Sequence, residues 1–277
     1  MATALLFPGQ GSQTPDMRDQ VAQSRPDLLE LVTEAVGEDP FLRVEDGTAY
    51  AQPAIYCASI AGWTAMGKPQ AEFSAGHSLG EIGALVAAGV LSETDGLKLV
   101  AVRGRLMQRC GETEGDGGMI ALLGSQAGER AGEVATAHGL SIANDNSPQQ
   151  MVLSGPRAVL PDAEQTAKAL GLRAMILPVT GAFHSPMMQP AVAEFEKALE
   201  NVEIRPASAT VISAVTAAPF DDVRLRLAQA LTGPVRFREL LLELHSRGVD
   251  RFVEVGPGRV LTGLAKRTLK GVELVNA

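Results

Sequence analysis

The fold is decided at residues 74–81, Ser74-Ala75-Gly76-His77-Ser78-Leu79-Gly80-Glu81, which contain the pattern Gly-x-Ser-x-Gly. A short mixed run precedes this stretch and an Ala-rich helical run follows it. Such a strand–turn–helix context predicts a nucleophile elbow, a sharp turn that presents a serine hydroxyl at a helix N-terminus. The pattern is also common in ordinary proteins. A Gly/Ser turn in which Ser78 only caps the helix is therefore the alternative interpretation.

Composition narrows the class of protein. Of the 277 residues, 45% are hydrophobic, 20% charged and 4% aromatic, as in a globular enzyme with an aliphatic core. The formal net charge of −8 argues against nucleic acid or an anionic membrane as a partner. The N-terminal run up to Pro8 lacks the basic residues of a signal peptide, and no window has the apolar length of a membrane span. Cys57 and Cys110 lack metal-ligand spacing, so we expect free thiols, no metal site and a cytoplasmic location.

Short strands alternate with helices along the chain, a pattern typical of an α/β fold with a mostly parallel sheet and helices on both faces. The first strand is predicted over 3–7, and apolar spacing predicts a single helix over 18–36. A further helix, rich in small residues, is predicted over 52–66. Ser92 is the expected N-cap of a further helix that runs to about residue 110.

A smaller unit is predicted after the Gly- and acid-rich break at 112–118. From there the elements follow the order β-α-β-β-α-β, which is the ferredoxin-like pattern, with a predicted turn over 144–148. We therefore expect a ferredoxin-like subdomain over 117–178, inserted in a large hydrolase-like α/β domain made of 1–116 and 179–277.

A serine nucleophile needs a general base, and only four histidines are available. His184 lies in a loop flanked by Gly181 and Pro186, where packing gives no reason for an imidazole, and it is the best candidate. An inert loop histidine is the alternative for this residue. His77 is adjacent to Ser78, so its side chain points elsewhere on the elbow and suits support of the turn better than proton transfer.

The oxyanion of a tetrahedral intermediate needs two N–H donors. The amide after the nucleophile, that of Leu79, is the expected first donor. Gln10, between Gly9 and Gly11, is the natural candidate for the second, although a plain strand–helix loop would look the same. Arg103 lies beside an apolar helical stripe, a place usually taken by a surface residue whose charged end reaches solvent.

Six motifs follow one another along the chain: Phe7-Pro8-Gly9-Gln10-Gly11-Ser12-Gln13, Gly76-His77-Ser78-Leu79-Gly80-Glu81, Arg103-Gly104-Arg105-Leu106-Met107-Gln108, Asn146-Ser147-Pro148, Ala182-Phe183-His184-Ser185-Pro186-Met187-Met188 and Val255-Gly256-Pro257-Gly258. Taken together, they resemble the motifs of malonyl-CoA:acyl carrier protein transacylases, the acyltransferase family of fatty-acid and polyketide synthesis. The resemblance covers essentially the whole chain, and the shortness of the chain is similar to that of the compact trans-acting members.

This resemblance implies a ping-pong reaction with a malonyl-serine intermediate on Ser78 and with His184 as base. It implies that the amides of Gln10 and Leu79 hold the oxyanion and that Arg103 pairs with the malonyl carboxylate through its planar guanidinium.

Four more residues are placed at the site by the resemblance. Phe183 is typical of malonyl-selective members, Asn146 lies near the pocket, and we group His77 with the substrate-binding residues. The family orients its histidine through a main-chain carbonyl, which we align with Ala230, where glutamine is usual.

The expected partners are malonyl-CoA and an acyl carrier protein, both as substrates, with no cofactor, no nucleic acid, no membrane and a monomeric enzyme. The alternative function is an acyl-thioester hydrolase that uses the same Ser78/His184 pair. A non-catalytic scaffold that binds carrier protein is a third interpretation, which intact Ser78, His184 and Arg103 disfavour.

Overall fold

The computed structural model describes residues 2–113 and 117–277. The strands are Ala2–Phe7 (β1), Phe73–Gly76 (β2), Gly117–Leu123 (β3), Ser141–Ser147 (β4), Gln150–Pro156 (β5), Arg173–Ile176 (β6), Thr210–Ser213 (β7), Ala218–Pro219 (β8), Val249–Glu254 (β9) and Glu273–Asn276 (β10). The α-helices are Met17–Ser24 (α1), Pro26–Val36 (α2), Thr48–Ala65 (α3), Gly80–Ala87 (α4), Glu93–Thr113 (α5), Ala127–His138 (α6), Leu160–Ala169 (α7), Gln189–Glu200 (α8), Val223–Gln229 (α9), Phe237–Ser246 (α10) and Val260–Thr268 (α11). Within these described ranges, no helix is both long and apolar enough to cross a membrane.

The larger sheet has six strands in the order β10-β9-β1-β2-β7-β8, and all of its pairs are parallel except β7 with β8. Successive residues of β1 point to opposite faces, as in any strand. Leu5 and Phe7 join the core under α3, α4 and α5, whereas Ala4 and Leu6 join the core under α10 and α11. The sheet is therefore covered by helices on both faces, which confirms the predicted fold class.

The centre of this sheet sets the position of the elbow. Parallel pairing of β1 with β2 brings Phe7 opposite Gly76, so both strands end at the same edge. The loop after β1 and the turn after β2 consequently lie side by side. In open α/β sheets this carboxyl edge is the usual place for a ligand site.

The smaller sheet is antiparallel, with the order β4-β5-β3-β6. Helices α6 and α7 pack on it around a core of its own, which includes Ile120, Leu153 and Leu160. The chain order β3-α6-β4-β5-α7-β6 is the ferredoxin-like arrangement that the sequence predicts. We propose the corresponding domain division at 117–178, noting that residues 114–116 of the predicted break lie outside the described part of the chain.

Two predicted elements differ from the structure. The single helix over 18–36 is two helices, α1 and α2, because Pro26 cannot donate a main-chain hydrogen bond and starts a new helix at its first turn. The predicted turn over 144–148 is also wrong, since β4 continues to Ser147. The predicted cap of α5 is confirmed, because Ser92 Oγ accepts the Asp95 amide at 3.0 Å.

Candidate active site

The turn between β2 and α4 has no room for side chains at its two glycines. A Cβ on Gly76 would lie 1.9 Å from the carbonyl carbon of Gly80, and one on Gly80 would lie 2.0 Å from the Phe7 carbonyl oxygen. Between them Ser78 adopts a left-handed backbone with φ of 54°, a conformation that is costly for a side chain with a Cβ. The turn is therefore strained, with Ser78 at its apex and α4 starting two residues later.

His184 lies against this serine although the two residues are 106 positions apart in the chain. The distance from Ser78 Oγ to His184 Nε2 is 2.8 Å, and the imidazole is 5% exposed. His184 has a positive φ of 59°, and Ser185 stabilises its loop by donating to the Ala182 carbonyl at 2.6 Å. A serine and an imidazole in direct contact are the two groups that nucleophilic catalysis requires.

The other ring nitrogen of His184 sets the direction of the Ser78–His184 hydrogen bond. Nδ1 lies 3.2 Å from the main-chain carbonyl of Gly233, an acceptor only, so Nδ1 carries the proton and Nε2 is free to accept from Ser78. Nδ1 thus donates to the Gly233 carbonyl, three residues after the aligned Ala230. The Ala230 carbonyl acts on the same ring, where it favours the protonated form less strongly than Gly233 does.

The surroundings of His184 keep it neutral. Burial lowers the pKa of His184 to about 3, and the charges of Arg103 and His77 act in the same direction. The carbonyls of Gly233 and Ala230 oppose this shift only in part. The imidazole is therefore in the form that can accept a proton throughout the neutral pH range.

Arg103 completes the contacts of Ser78. It projects from α5 and is only 3% exposed, with Nη2 3.1 Å from Ser78 Oγ and Nη1 2.8 Å from Gln52 Oε1. Within residues 2–113 and 117–277, no carboxylate forms an ion pair with it. Burial lowers the pKa of Arg103 to about 10, partly offset by the charge of Glu81, so the guanidinium stays positive at neutral pH. The surface alternative for Arg103 does not hold.

Two residues that support Arg103 were missed by the sequence analysis. Gln52 is buried, and its Nε2 donates to Thr48 Oγ1 at 2.8 Å and contacts Met107 Sδ at 3.3 Å, which holds Oε1 toward Arg103. The available signal was Gln52 as the single amide side chain in a helix, α3, most of whose residues are apolar. Finding its partner would still have required knowing that α3 packs on α5.

Glu81, the second missed residue, follows the elbow in the first turn of α4 and is 1% exposed. Its Oε1 accepts from the Ala214 amide at 2.7 Å and from Ser213 Oγ at 3.2 Å. Burial raises the pKa of Glu81 to about 7, against these hydrogen bonds and the charge of Arg103. The carboxyl thus ties the elbow helix to the end of β7, and its charge partly offsets the lowering of the Arg103 pKa by burial.

Gln10 and Leu79 lie in the two loops that meet at the sheet edge. A Cβ on Gly9 would lie 2.6 Å from the His77 carbonyl oxygen, so the loop of Gln10 touches the elbow directly. The amides of Gln10 and Leu79 have no protein acceptor in the described part of the chain. Two N–H groups left open beside a nucleophile are what a developing oxyanion needs.

The remaining predicted residues surround this centre. His77 Nε2 donates to Asn146 Oδ1 at 2.7 Å, and the His77 ring packs edge-on against Phe237 at 5.3 Å between centroids. His77 thereby links the elbow to β4 of the smaller sheet. Phe183 is buried next to His184, and its ring occupies the space where a Cβ on Gly181 would lie. No cluster of three or more His, Cys, Asp or Glu fit to hold a metal is found among the described side chains.

Comparison with protein families supports this reading of the geometry. The model of the acyl transferase domain matches residues 5–276. The chain is 39% identical over 282 residues to the polyketide biosynthesis protein ThaF of Burkholderia thailandensis, covering 96% of this chain but only 24% of ThaF. It is 36% identical to the malonyl CoA-acyl carrier protein transacylase of Haemophilus influenzae, with 99% of this chain and 94% of that protein aligned.

The chain is also similar in three dimensions to a protein of known structure. That structure contains a holo type II PKS acyl-carrier protein in complex with its malonyl-transacylase. The present chain is similar to the matched chain of that structure with a TM-score of 0.89 and 32% identity, over 100% of this chain and 96% of that one. Both sheets therefore have counterparts in a solved relative.

Proposed function

The chain belongs to the acyl transferase family, and we propose that it transfers a malonyl group from malonyl-CoA to the phosphopantetheine thiol of an acyl carrier protein through Ser78. The observation that carries this proposal is the buried Arg103 guanidinium 3.1 Å from the Ser78 hydroxyl. A buried cation with no ion-pair partner in the described residues is unfavourable unless an anion joins it. A carboxylate two bonds beyond the reacting carbonyl carbon suits that position.

The first half-reaction forms the acyl-enzyme. His184 Nε2 takes the Ser78 proton while Oγ attacks the thioester carbon, and the oxygen of the tetrahedral intermediate accepts from the Gln10 and Leu79 amides. As the carbon–sulfur bond breaks, His184 returns the proton to the sulfur, and CoA leaves as the thiol. The Gly233 carbonyl favours the imidazolium that exists between these steps.

The second half-reaction runs the same chemistry in reverse. The carrier thiol gives its proton to His184 and attacks the malonyl-serine ester, and the same two amides hold the oxyanion. Ser78 leaves with the proton from His184, and the malonyl thioester departs on the carrier. The relatives, which include a polyketide biosynthesis protein and a malonyl CoA-acyl carrier protein transacylase, support this acceptor and a role in carrier-bound chain building of the fatty-acid or polyketide type.

Selection of the acyl group is assigned to Arg103 and Phe183. The guanidinium can bind a carboxylate through two parallel hydrogen bonds, and an acyl group without a carboxylate leaves its charge unpaired. Phe183 limits the space beside His184. We propose that His77 and Asn146, through their hydrogen bond, form the side of the acyl pocket that lies between the two sheets.

We also propose that no cofactor takes part and that the reaction occurs in the cytoplasm. Nucleophile, base, oxyanion donors and carboxylate-binding cation are all supplied by the chain itself. Cys57 is buried and not in a disulfide, which is compatible with a reducing compartment.

The pH dependence of acylation should reflect the neutral state of His184. We expect kcat/KM for malonyl-CoA to stay near its maximum when the pH is lowered through 6.5, the ordinary pKa of histidine, because the pKa of His184 is about 3.

The lowered pKa of His184 also makes the stability of the fold depend on pH. The unfolded chain protonates this histidine near pH 6.5 and the folded chain only near 3, so its contribution to stability is lost as the pH falls between these values. A pH–rate profile with circular dichroism at each pH tests this expectation, and an acid limb with an apparent pKa near 6.5 in folded enzyme would contradict it.

Intact-protein mass spectrometry tests the proposed function directly. The enzyme is incubated briefly with equimolar malonyl-, methylmalonyl- and acetyl-CoA and then with holo carrier protein. We expect a malonyl adduct on Ser78 that moves to the carrier. An adduct that decays to free acid without reaching either of two different carriers would favour the hydrolase alternative. Absence of any adduct would reject acyl transfer from these donors.

A further inference from the structure

Arg103 contacts the nucleophile itself. Nη2 donates to Ser78 Oγ at 3.1 Å while Nη1 donates to Gln52 Oε1 at 2.8 Å, so the cation that should bind substrate is already engaged. Gln52 is anchored on its other side by Thr48 and Met107. The guanidinium therefore has one fixed partner, Gln52, and one partner that an incoming carboxylate can replace.

The contact has two effects on Ser78, and both oppose its attack on a thioester. Oγ donates to His184 Nε2 at 2.8 Å and accepts from a charged donor, which draws electron density from the oxygen that must attack. The positive charge of Arg103 also disfavours the imidazolium that forms when His184 takes the proton. The buried setting weakens the screening of both effects.

We propose that Arg103 restrains Ser78 in the unloaded enzyme and that the carboxylate of the acyl group releases Ser78 by taking the Nη2 donor. This inference rests on the proposed function and adds a second level of acyl selection. A carboxylate raises the rate of acylation in addition to improving binding, because it frees Oγ and neutralises the charge beside His184. Acetyl-CoA lacks the carboxylate, so it meets a serine that is still held.

Acetyl-CoA and formate together carry the parts of a malonyl group as two separate molecules, and they provide the test. We measure the rate of Ser78 acetylation by quenched mass spectrometry in sodium formate and in sodium chloride of equal ionic strength. Release of one charge-assisted hydrogen bond to the nucleophile predicts an acceleration of about tenfold by formate. The acceleration should be absent in Arg103→Ala and retained in Arg105→Ala, an exposed arginine of the same helix.

Two further measurements, competition between formate and malonyl-CoA and the rate of Ser78 modification by a sulfonyl fluoride, cover the case in which formate does not accelerate acetylation. Formate should compete with malonyl-CoA for binding to the wild-type enzyme. If formate competes but does not accelerate the acetylation of Ser78, the proposed restraint of Ser78 by Arg103 is disproved. If formate does not compete, the deciding measurement is the rate at which phenylmethanesulfonyl fluoride modifies Ser78. We expect Arg103→Ala to react about tenfold faster than wild type. An equal or slower rate in Arg103→Ala overturns the proposal. In either case a normal malonyl adduct on the wild type leaves the proposed function intact, whereas no adduct rejects that function instead.

Discussion

Replacing Ser78 by alanine is expected to abolish the covalent malonyl adduct and to lower the transfer rate by roughly 10⁴-fold or more, because no other group can form the acyl-enzyme. The oxyanion donors, Arg103 and His184 remain, so malonyl-CoA should still bind. The expected signature is thus a loss in kcat with a much smaller change in the affinity for malonyl-CoA. Burst kinetics of CoA release and isothermal titration with malonyl-CoA measure the two quantities separately.

A matched control distinguishes loss of chemistry from loss of fold. Ser208 is an exposed serine that donates to the Ala88 carbonyl at 3.0 Å on another part of the surface, and Ser208→Ala should transfer malonyl at the wild-type rate. Ser78→Ala keeps the Cβ and therefore the same backbone strain at φ of 54°, so its thermal stability should lie within a few degrees of that of wild type. A stable covalent adduct in Ser78→Ala would remove Ser78 from the nucleophile role.

The elbow is the part of the site that local sequence predicts best. The elbow needs glycine at two positions, because backbone atoms approach Gly76 and Gly80 too closely for a Cβ. Both glycines lie within five residues of sequence, so the pattern can be recognised locally. The Ser92 cap is a similar local signal, confirmed by its bond to the Asp95 amide. Such features depend on neighbours in the chain, so a single sequence is enough to predict them.

The predicted turn over 144–148 failed for the opposite reason. Asn, Asp and Ser are turn formers locally, but here their partners come from other elements. Asp145 is paired with Arg238 of α10 at 2.7 Å, its amide donates to the Val235 carbonyl at 2.9 Å, and Asn146 accepts from His77. These tertiary contacts at the junction of the two sheets stabilise β4 against its local preference, and they place Asn146 beside the elbow.

Other parts of the site carry no side-chain signal at all. The acceptor of His184 Nδ1 is a main-chain carbonyl, which any residue provides, so alignment placed it at Ala230 and the structure at Gly233. The edge strands β8 and β10 were missed because each is short and pairs with only one neighbour. The bond between Gln52 and Arg103 depends on how α3 and α5 pack, which periodicity does not specify.

Replacing Arg103 by alanine is expected to lower kcat/KM for malonyl-CoA by roughly 10²-fold or more, because a buried carboxylate that loses its charged partner costs about 3 kcal/mol or more. Acetyl-CoA makes no such pair, and Arg103→Ala removes the hydrogen bond that holds Ser78, so kcat/KM for acetyl-CoA should rise. The ratio of the two specificity constants, measured by competition in one mixture, should therefore move toward acetyl. Arg103→Lys keeps the charge but loses the planar pair of donors, and an intermediate ratio is expected.

The control for this substitution lies two residues away on the same helix. Arg105 is exposed, so Arg105→Ala removes the same charge and side chain from α5 without touching Ser78 or Gln52. The ratio of kcat/KM for malonyl-CoA to kcat/KM for acetyl-CoA should be the same in Arg105→Ala as in wild type. This result would distinguish a local pairing with the carboxylate from a general effect of net charge. Arg103→Ala leaves the Gln52 oxygen without its donor, and the folded fraction is therefore checked by thermal melting before rates are compared. An unchanged ratio in folded Arg103→Ala would remove Arg103 from carboxylate recognition, and the malonyl selectivity would then have to come from the walls around Phe183.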